Sequence, residues 1–497
     1  VSYVAGIDLG TSAVKVLLVD KHGNVKGEAS SPLDMHVAAG GVREQNPDQW
    51  VDATIEALKK IVESVPEAAT SIEGMSFSGQ MHGLVLLDEK RQVLRPAMLW
   101  NDTRTSAECE LIRTTLGEEL YTYTKNPALE GFTLPKLLWV KAHEPDLFSK
   151  ATSFVLPKDY LRYRLTGALH MEPSDAAGTL LFHPAKKAWS HEMCHALDIP
   201  VSMCPEIVLS TDEVGTLVRD VATQIGVSND IKVFAGGADN ACGALGAGII
   251  APGETLCSIG TSGVILSYEE QDIDVDGGVH FFNHAKDNVF YTMGVTLAAG
   301  YSLQWAKDQL APNESFEALL DGIETIPPGS RGLLFTPFLN GERTPYSDAS
   351  IRASWIGMDA EHTRVHLAKA VMEGITFSLN ESLQLFRQAG KTINTVVSIG
   401  GGAKNPAWLQ MQADIFNATV VSLENEQGPS LGAAIIAAAG CGWAPSIDMV
   451  VKKFVRRKQE FHPVKENVET YQNIFQLYQQ VYKQTAEMCE SLAVYRG

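Results

Sequence analysis

Two stretches of this chain set Gly-Thr-Ser between strand-like runs: Ile7-Asp8-Leu9-Gly10-Thr11-Ser12 and Ser258-Ile259-Gly260-Thr261-Ser262. A tight glycine turn leaves backbone N–H groups free at the carboxyl end of a strand, where α/β proteins collect anions. Two further junctions share that logic. Gly236-Gly237-Ala238-Asp239-Asn240 follows the run 231–235, and Gly400-Gly401-Gly402-Ala403-Lys404-Asn405 follows the run 396–399. One such junction is an ordinary turn. Four in one chain point to a ligand with several phosphates.

Acidic residues stand beside two of these turns. Asp8 ends the first strand-like run, where a carboxylate can hold Mg²⁺ against phosphate oxygens or simply cap the turn. Asp239 stands at a helix start, where it is either an N-cap or a general base for a hydroxyl. Gln80, His82, Asn101, Asp102 and Asn240 are the donors and acceptors that an uncharged, hydroxyl-rich ligand needs. Trp100 offers such a ligand an apolar face. For His82 alone, a core histidine satisfied by backbone is the competing reading.

Two motifs imitate other chemistries. His191-Glu192-Met193-Cys194-His195 fits the H-E-x-x-H zinc pattern. A serine N-cap at Ser190 explains it as a plain helix start, and no third ligand is evident. Gly390-Lys391-Thr392 resembles the end of a P-loop, but Leu385 stands where the glycine five positions earlier is required. That tripeptide also follows a helix pattern, not a strand.

The elements that must position these residues alternate in type. Runs 4–9 and 14–19 read as a strand hairpin closed by Gly10-Thr11-Ser12, and a third strand follows the turn 20–24. A helix is expected from Pro47, capped by Asn46, with Trp50, Ile55, Leu58, Ile61 and Val62 on its apolar face. Helices are also expected after Gly236-Gly237, at Pro406, near Gly428-Pro429-Ser430, and from residue 467 onward. Strands alternating with helices indicate an α/β fold. The recurrence of Gly-Thr-Ser about half the chain apart suggests a duplicated nucleotide-binding unit.

Composition sets the outer limits. The 497 residues are 45% hydrophobic and 20% charged, which allows more than one globular domain. The net charge of −19 disfavours nucleic acid and anionic membranes as partners. No apolar run is long enough to span a bilayer, and no signal peptide is evident at the start. Seven scattered cysteines without a CxxC pair fit free thiols, so a cytoplasmic location is expected.

At this point the residues resemble a known family, the FGGY carbohydrate kinases, along the whole chain. The segments 6–12 and 257–263 are similar to its two phosphate motifs, and 400–406 and 428–434 to its adenosine segments. Gly131-Phe132-Thr133-Leu134-Pro135-Lys136-Leu137-Leu138-Trp139 resembles a signature of its first half. Ser78-Gly79-Gln80-Met81-His82-Gly83 resembles the branch that acts on D-xylulose, and the segments 99–104, 174–179 and 340–345 agree with it. The family usually has a third glycine where Ala238 stands here.

The resemblance implies an α/β fold of two actin/hexokinase-like (ribonuclease H-like) domains flanking a central cleft, divided as 1–246 and 247–497. It implies ATP and Mg²⁺, with Asp239 as base and Asp8 and Asp239 near the metal. The sugar would meet Gln80, Met81, His82, Trp100, Asp102, Asp239 and Asn240. The nucleotide would meet Gly10, Thr11, Ser12, Lys15, Gly260, Thr261, Gly401, Gly402, Lys404 and Asn405. The expected reaction is phosphorylation of a ketose by ATP, with D-xylulose first. Gluconate, ribulose or a deoxy-ketose are the near alternatives, and an actin- or chaperone-like ATPase without a sugar is the distant one. The partner is a small sugar; a homodimer is left open.

Overall fold

The computed structural model describes residues 2–274 and 278–496. Two large sheets organise the chain. The first runs Glu213–Thr216, Lys232–Phe234, Ile72–Gly79, Tyr3–Leu9, Ala13–Asp20, Val25–Pro32, with Gly237–Ala238 also pairing to Ile72–Gly79. The second runs His280–Asn283, Phe290–Thr296, Gly263–Glu269, Glu254–Ile259, Thr395–Gly400, Thr419–Leu423, Arg457–Phe461.

The two sheets repeat one plan. In each, a leading strand pairs antiparallel with the strand after its Gly-Thr-Ser turn and parallel with a strand on its other side. A third meander strand follows on one flank, with His280–Asn283 added outside it in the second sheet, and an antiparallel strand edges the other. The duplication suggested by the two turns is therefore a duplication of topology.

Burial explains the central strands. Every residue of Tyr3–Leu9 is buried except half-buried Asp8, as expected of a strand covered on both faces. Alternate side chains serve opposite layers. Ala5, Ile7, Val16 and Leu18 pack with Trp50, Leu58 and Ile61 of the helix Pro47–Ser64. Val4, Leu17 and Val19 join the layer that holds the helix Gly428–Gly440. Burying side chains of this size stabilises by roughly 1.5–3 kcal/mol each. The helix Pro47–Ser64 starts as expected, with the Asn46 side chain accepting from the Asp48 N–H.

The helix Gly428–Gly440 belongs to the second half of the chain yet lies on Tyr3–Leu9 and Ile72–Gly79 of the first sheet. It also crosses the helix Asp239–Gly246. Glycine makes that crossing possible. A Cβ at Gly6 would fall 2.0 Å from the Ser430 carbonyl oxygen, and one at Gly432 would fall 1.9 Å from that of Cys242. The two halves thus interlock at the helix that carries Asp239.

Other elements follow their sequence signals. Helix Pro406–Phe416 is capped by Asn405, and Lys465–Leu492 forms the long tail helix. His191–Ala196 is a short helix capped by Ser190, and Gly390 follows the helix Arg364–Gln388. No helix among the described residues is long and apolar enough to cross a membrane.

Candidate active site

Asp8 and Asp239 come to the same end of the first sheet from strands on opposite sides of Ile72–Gly79. Asp8 is level with Ser78 on the parallel strand and with Lys15 on the antiparallel one. Gly237–Ala238 pairs with Ser78–Gly79, so the residue after it, Asp239, emerges at the same end. Burial raises the Asp8 carboxyl to about 6, opposed by Ser78 and by the Lys15 charge. Burial and then the Asp8 charge raise Asp239 to about 7, opposed by the Asn240 N–H that donates to its Oδ1 at 2.7 Å. Asp239 is the first helical residue rather than the N-cap, which is Ala238. One Asp8 oxygen, Oδ1, is buried and takes no hydrogen bond of normal geometry, although Ser78 lies close enough to favour the ionised form.

His82 marks a second edge of the site. Its backbone has φ of 70°, an uncommon value for a residue with a side chain. Its Nδ1 lies 2.7 Å from the Gly178 carbonyl, which can only accept. Nδ1 is therefore the protonated nitrogen, and Nε2 is left as an acceptor. Burial pulls the ring down to about 3, aided by the Lys136 and Arg343 charges and opposed by that hydrogen bond. It is a neutral imidazole at working pH. Phe132 lies against it at 4.7 Å between ring centroids, and Phe282 from the second half at 6.0 Å. The His82 carbonyl accepts from Thr133 Oγ1 at 3.0 Å and Lys136 Nζ at 3.5 Å. The sequence marked Phe132, Thr133 and Lys136 only as a signature; their part in seating His82 needed the fold.

Met81 is buried, and its sulfur receives the Asn240 Nδ2 at 3.5 Å, so Met81, His82, Asp239 and Asn240 share one region. Trp100 is 47% exposed and donates its Nε1 to Thr11 Oγ1 at 2.9 Å, standing over the first turn.

Two residues expected to meet the sugar, Asp102 and Gln80, are hydrogen-bonded within the protein. Asp102 is fully buried, and its oxygens accept from the Arg43 N–H at 2.8 Å and from Arg104. Its acceptor capacity is spent on anchoring those segments. Gln80 is buried beneath the first turn, with Nε2 facing the Gly10 carbonyl at 3.4 Å and Gln45 at 3.3 Å. Gln45 continues the support by donating to the Thr11 carbonyl at 2.7 Å and accepting from Trp50 Nε1 at 2.9 Å. A lone polar letter cannot say whether its partner is a ligand or the protein's own backbone.

The nucleotide candidates fall into two groups. Gly10, Thr11 and Ser12 form the first turn, closed by the Gly10 N–H to the Ala13 carbonyl at 3.0 Å. Lys15 rises from the next strand, pairs with Glu28 at 3.1 Å and donates to Gln427 of the second half at 2.8 Å. In the second sheet, Gly260 and Thr261 form an exposed turn whose carbonyls accept from Gly300 and Tyr301 at the start of the helix Gly300–Leu310. That helix was missed in the sequence because Gly300-Tyr301-Ser302 shows no capping residue. Gly401 and Lys404 are exposed, Gly402 is buried, and Asn405 Oδ1 caps the next helix at the Trp408 N–H, 3.2 Å away.

His191 and His195 lie on the exposed side of their short helix. Among the described residues no group of three or more His, Cys, Asp or Glu is disposed to hold a metal. A pair of carboxylates is a different case, since Mg²⁺ takes one or two of them and completes its shell with phosphate and water.

The arrangement joins a raised carboxyl, a second carboxyl with an open oxygen, a neutral imidazole and two anion-suited turns. The chain that carries it is similar to known proteins along most of its length. Residues 3–246 match the N-terminal domain of the FGGY family of carbohydrate kinases, and residues 255–441 match its C-terminal domain. A xylulose kinase of Bacillus subtilis (strain 168) is 57% identical over 495 residues, covering 99% of each chain. The crystal structure of a ligand-bound xylulose kinase from Lactobacillus acidophilus superposes with a TM-score of 0.92 at 27% identity, over 98% of this chain and 99% of that one. A gluconate kinase from the same organism gives the same TM-score and identity over 98% of both. With both family domains present in order and full-length likeness in sequence and fold, this chain belongs to the FGGY family of carbohydrate kinases.

Proposed function

We propose that this chain transfers the γ-phosphoryl group of ATP to the terminal hydroxyl of D-xylulose, giving D-xylulose 5-phosphate. The observation that carries the reading is the Asp8–Asp239 pair at one end of the first sheet, on either side of Ile72–Gly79, with the Asp239 carboxyl raised to about 7 by burial and the Asp8 charge and its neighbour Asn240 bonded to Met81. A carboxylate of that pKa can take a hydroxyl proton at working pH yet is basic enough to matter. In this reading Asp239 accepts the proton of the attacking hydroxyl. His82 accepts a sugar hydroxyl at Nε2, Asn240 offers its carboxamide, and Trp100 covers the apolar side of the sugar. The turns Gly10–Thr11–Ser12 and Gly260–Thr261 present N–H groups to the phosphates. Gly401, Gly402 and Lys404 flank the adenosine.

Mg²⁺ fits the open Asp8 oxygen, with Asp239 as the second carboxyl close by. Bound there, it would neutralise charge on the phosphates. The protein's own part is to align hydroxyl and phosphate and to exclude water, which supplies most of the acceleration in such transfers.

D-xylulose is preferred among sugars because the segment Ser78–Gly83 and the 57% identical relative, named a xylulose kinase, agree. The test is ATP consumption against D-xylulose, gluconate and glycerol. D-xylulose is expected to give by far the highest kcat/KM. Equal or greater turnover of gluconate would replace the sugar while leaving the kinase class intact.

A further inference from the structure

Beneath the bend that delivers Asp239 lie five charged side chains with no solvent exposure: Lys158, Asp159, Arg162, Glu172 and Asp175. Lys158 Nζ is 2.7 Å from Asp159, 3.3 Å from Asp175 and 3.4 Å from Glu172, and Arg162 lies 3.1 Å from Asp159. Three carboxyls face two cations, and burial pushes the Asp175 carboxyl well above its usual range. Charges buried this deeply are weak contributors to stability, because desolvation offsets most of the Coulomb gain, and packed apolar groups serve as well. What such a network can supply that apolar groups cannot is fixed direction.

Its hydrogen bonds lead to the backbone around Asp239. Arg162 Nη1 donates to the Ala235 carbonyl at 2.6 Å. The Gly236 N–H donates to the Ser210 carbonyl at 3.0 Å, and Ser210 Oγ donates to Glu172 at 3.3 Å. The Ala238 N–H donates to Ser174 Oγ at 2.9 Å. Ser174 Oγ in turn donates to Glu172, 2.8 Å from Oε2. Glu172 is itself fixed by the backbone N–H groups of Ser174 at 2.7 Å and Asp175 at 2.9 Å. Because Glu172 claims the Ser174 proton, a lone pair of Ser174 is left for Ala238. Ala238 is the N-cap of the helix that Asp239 begins, so this bond sets where that helix starts.

We propose that the buried network positions Asp239, with Ser174 as the residue that grips its turn and Glu172 as the residue that orients Ser174. The inference rests on the reading of Asp239 as general base. Neither residue touches substrate; they act through the aim of the carboxyl, and small misplacements of a reacting group cost rate heavily.

The test is steady-state kinetics of the full chain carrying Ser174→Ala, with D-xylulose and Mg-ATP. The kcat is expected to fall roughly tenfold to a hundredfold while both KM values stay within about threefold. Ser174→Cys, which keeps a weak acceptor, should recover part of the rate. In an Asp239→Asn background, Ser174→Ala should leave the residual rate unaltered, because no base remains to be aimed. A Ser174→Ala kcat within about twofold of wild type overturns the inference, as does an equal loss in both backgrounds, which general loosening would give. If Ser174→Ala does not fold, Glu172→Gln is judged by the same criteria. An active Asp239→Asn protein would bring down the base assignment and the inference together. An inactive Asp239→Asn beside a fully active Ser174→Ala would bring down the inference alone.

Discussion

A carboxyl raised to about 7 by burial and by a like-charged neighbour opposes folding whenever it ionises. Unfolded, Asp239 titrates near 3.8; folded, it holds its proton up to about 7. Between those values the native state binds more protons, so stability falls as pH rises through that window. Asp239→Asn removes this penalty. It is expected to raise Tm at pH 8, with the difference from wild type closing toward pH 4. The same change should lower kcat by a factor on the order of 10²–10⁴, because an amide cannot take the hydroxyl proton. Thermal melts and kinetics on one preparation check both, and a variant with normal kcat would return Asp239 to a turn residue. The wild-type kcat/KM should rise with pH as Asp239 ionises and fall on the acid side. A profile flat down to pH 5 would remove the raised carboxyl from the mechanism. Of these residues, Asp8, Asp239, His82 and Trp100 could be picked from the sequence, since each borders a glycine turn or a distinctive segment. Gln80 and Asp102 could be picked too, but not their employment. Arg104 is local to Asp102, but Gly10 above Gln80 and Arg43 beside Asp102 lie roughly 60 to 70 positions away in the chain, and only folding brings them together.

Elements carry the site because the helices at the junction of the two halves can touch. Gly432→Ala would drive a methyl into the Cys242 carbonyl, in the helix that holds Asp239. It is expected to lower stability by about 1–3 kcal/mol or more, and kcat with it. Gly401→Ala is the contrast. Its Cβ would sit 3.5 Å from the nearest atom, an ordinary contact, on an exposed turn of the proposed adenosine site. Stability should hold while KM for ATP rises. Denaturant melts and ATP titrations of the pair separate packing from binding; equal loss of stability in both would contradict the assignment. At this scale the sequence was informative wherever a local signal existed. Asn46-Pro47 and Asn405-Pro406 announced their helices, and the glycine turns announced their strands. What it withheld was docking. The alanine-rich run after Ser430 read as a helix, but nothing local says that it lies on the first sheet rather than the second.

The whole molecule pairs two sheets of one topology, with contacts that bridge the halves on several sides. Lys15 reaches Gln427, and Asn126 reaches the Phe281 carbonyl at 2.8 Å. The turns Gly10–Thr11 and Gly260–Thr261, proposed to hold the phosphates, come from different halves, and Phe282 of the second half lies beside His82 of the first. On the proposed assignment a complete site needs both halves together, and sugar and nucleotide should favour that state. An enzyme assembled this way spends ATP on the sugar rather than on water. The measurement that tests this most directly is phosphorus NMR of the reaction with ATP, Mg²⁺ and D-xylulose, set beside the same reaction without sugar. The account predicts ADP and one new phosphomonoester in equal amounts, the ester coupled to the protons on C5 of the sugar, and almost no inorganic phosphate when D-xylulose is left out. ADP and inorganic phosphate released at the same rate with or without the sugar would contradict it.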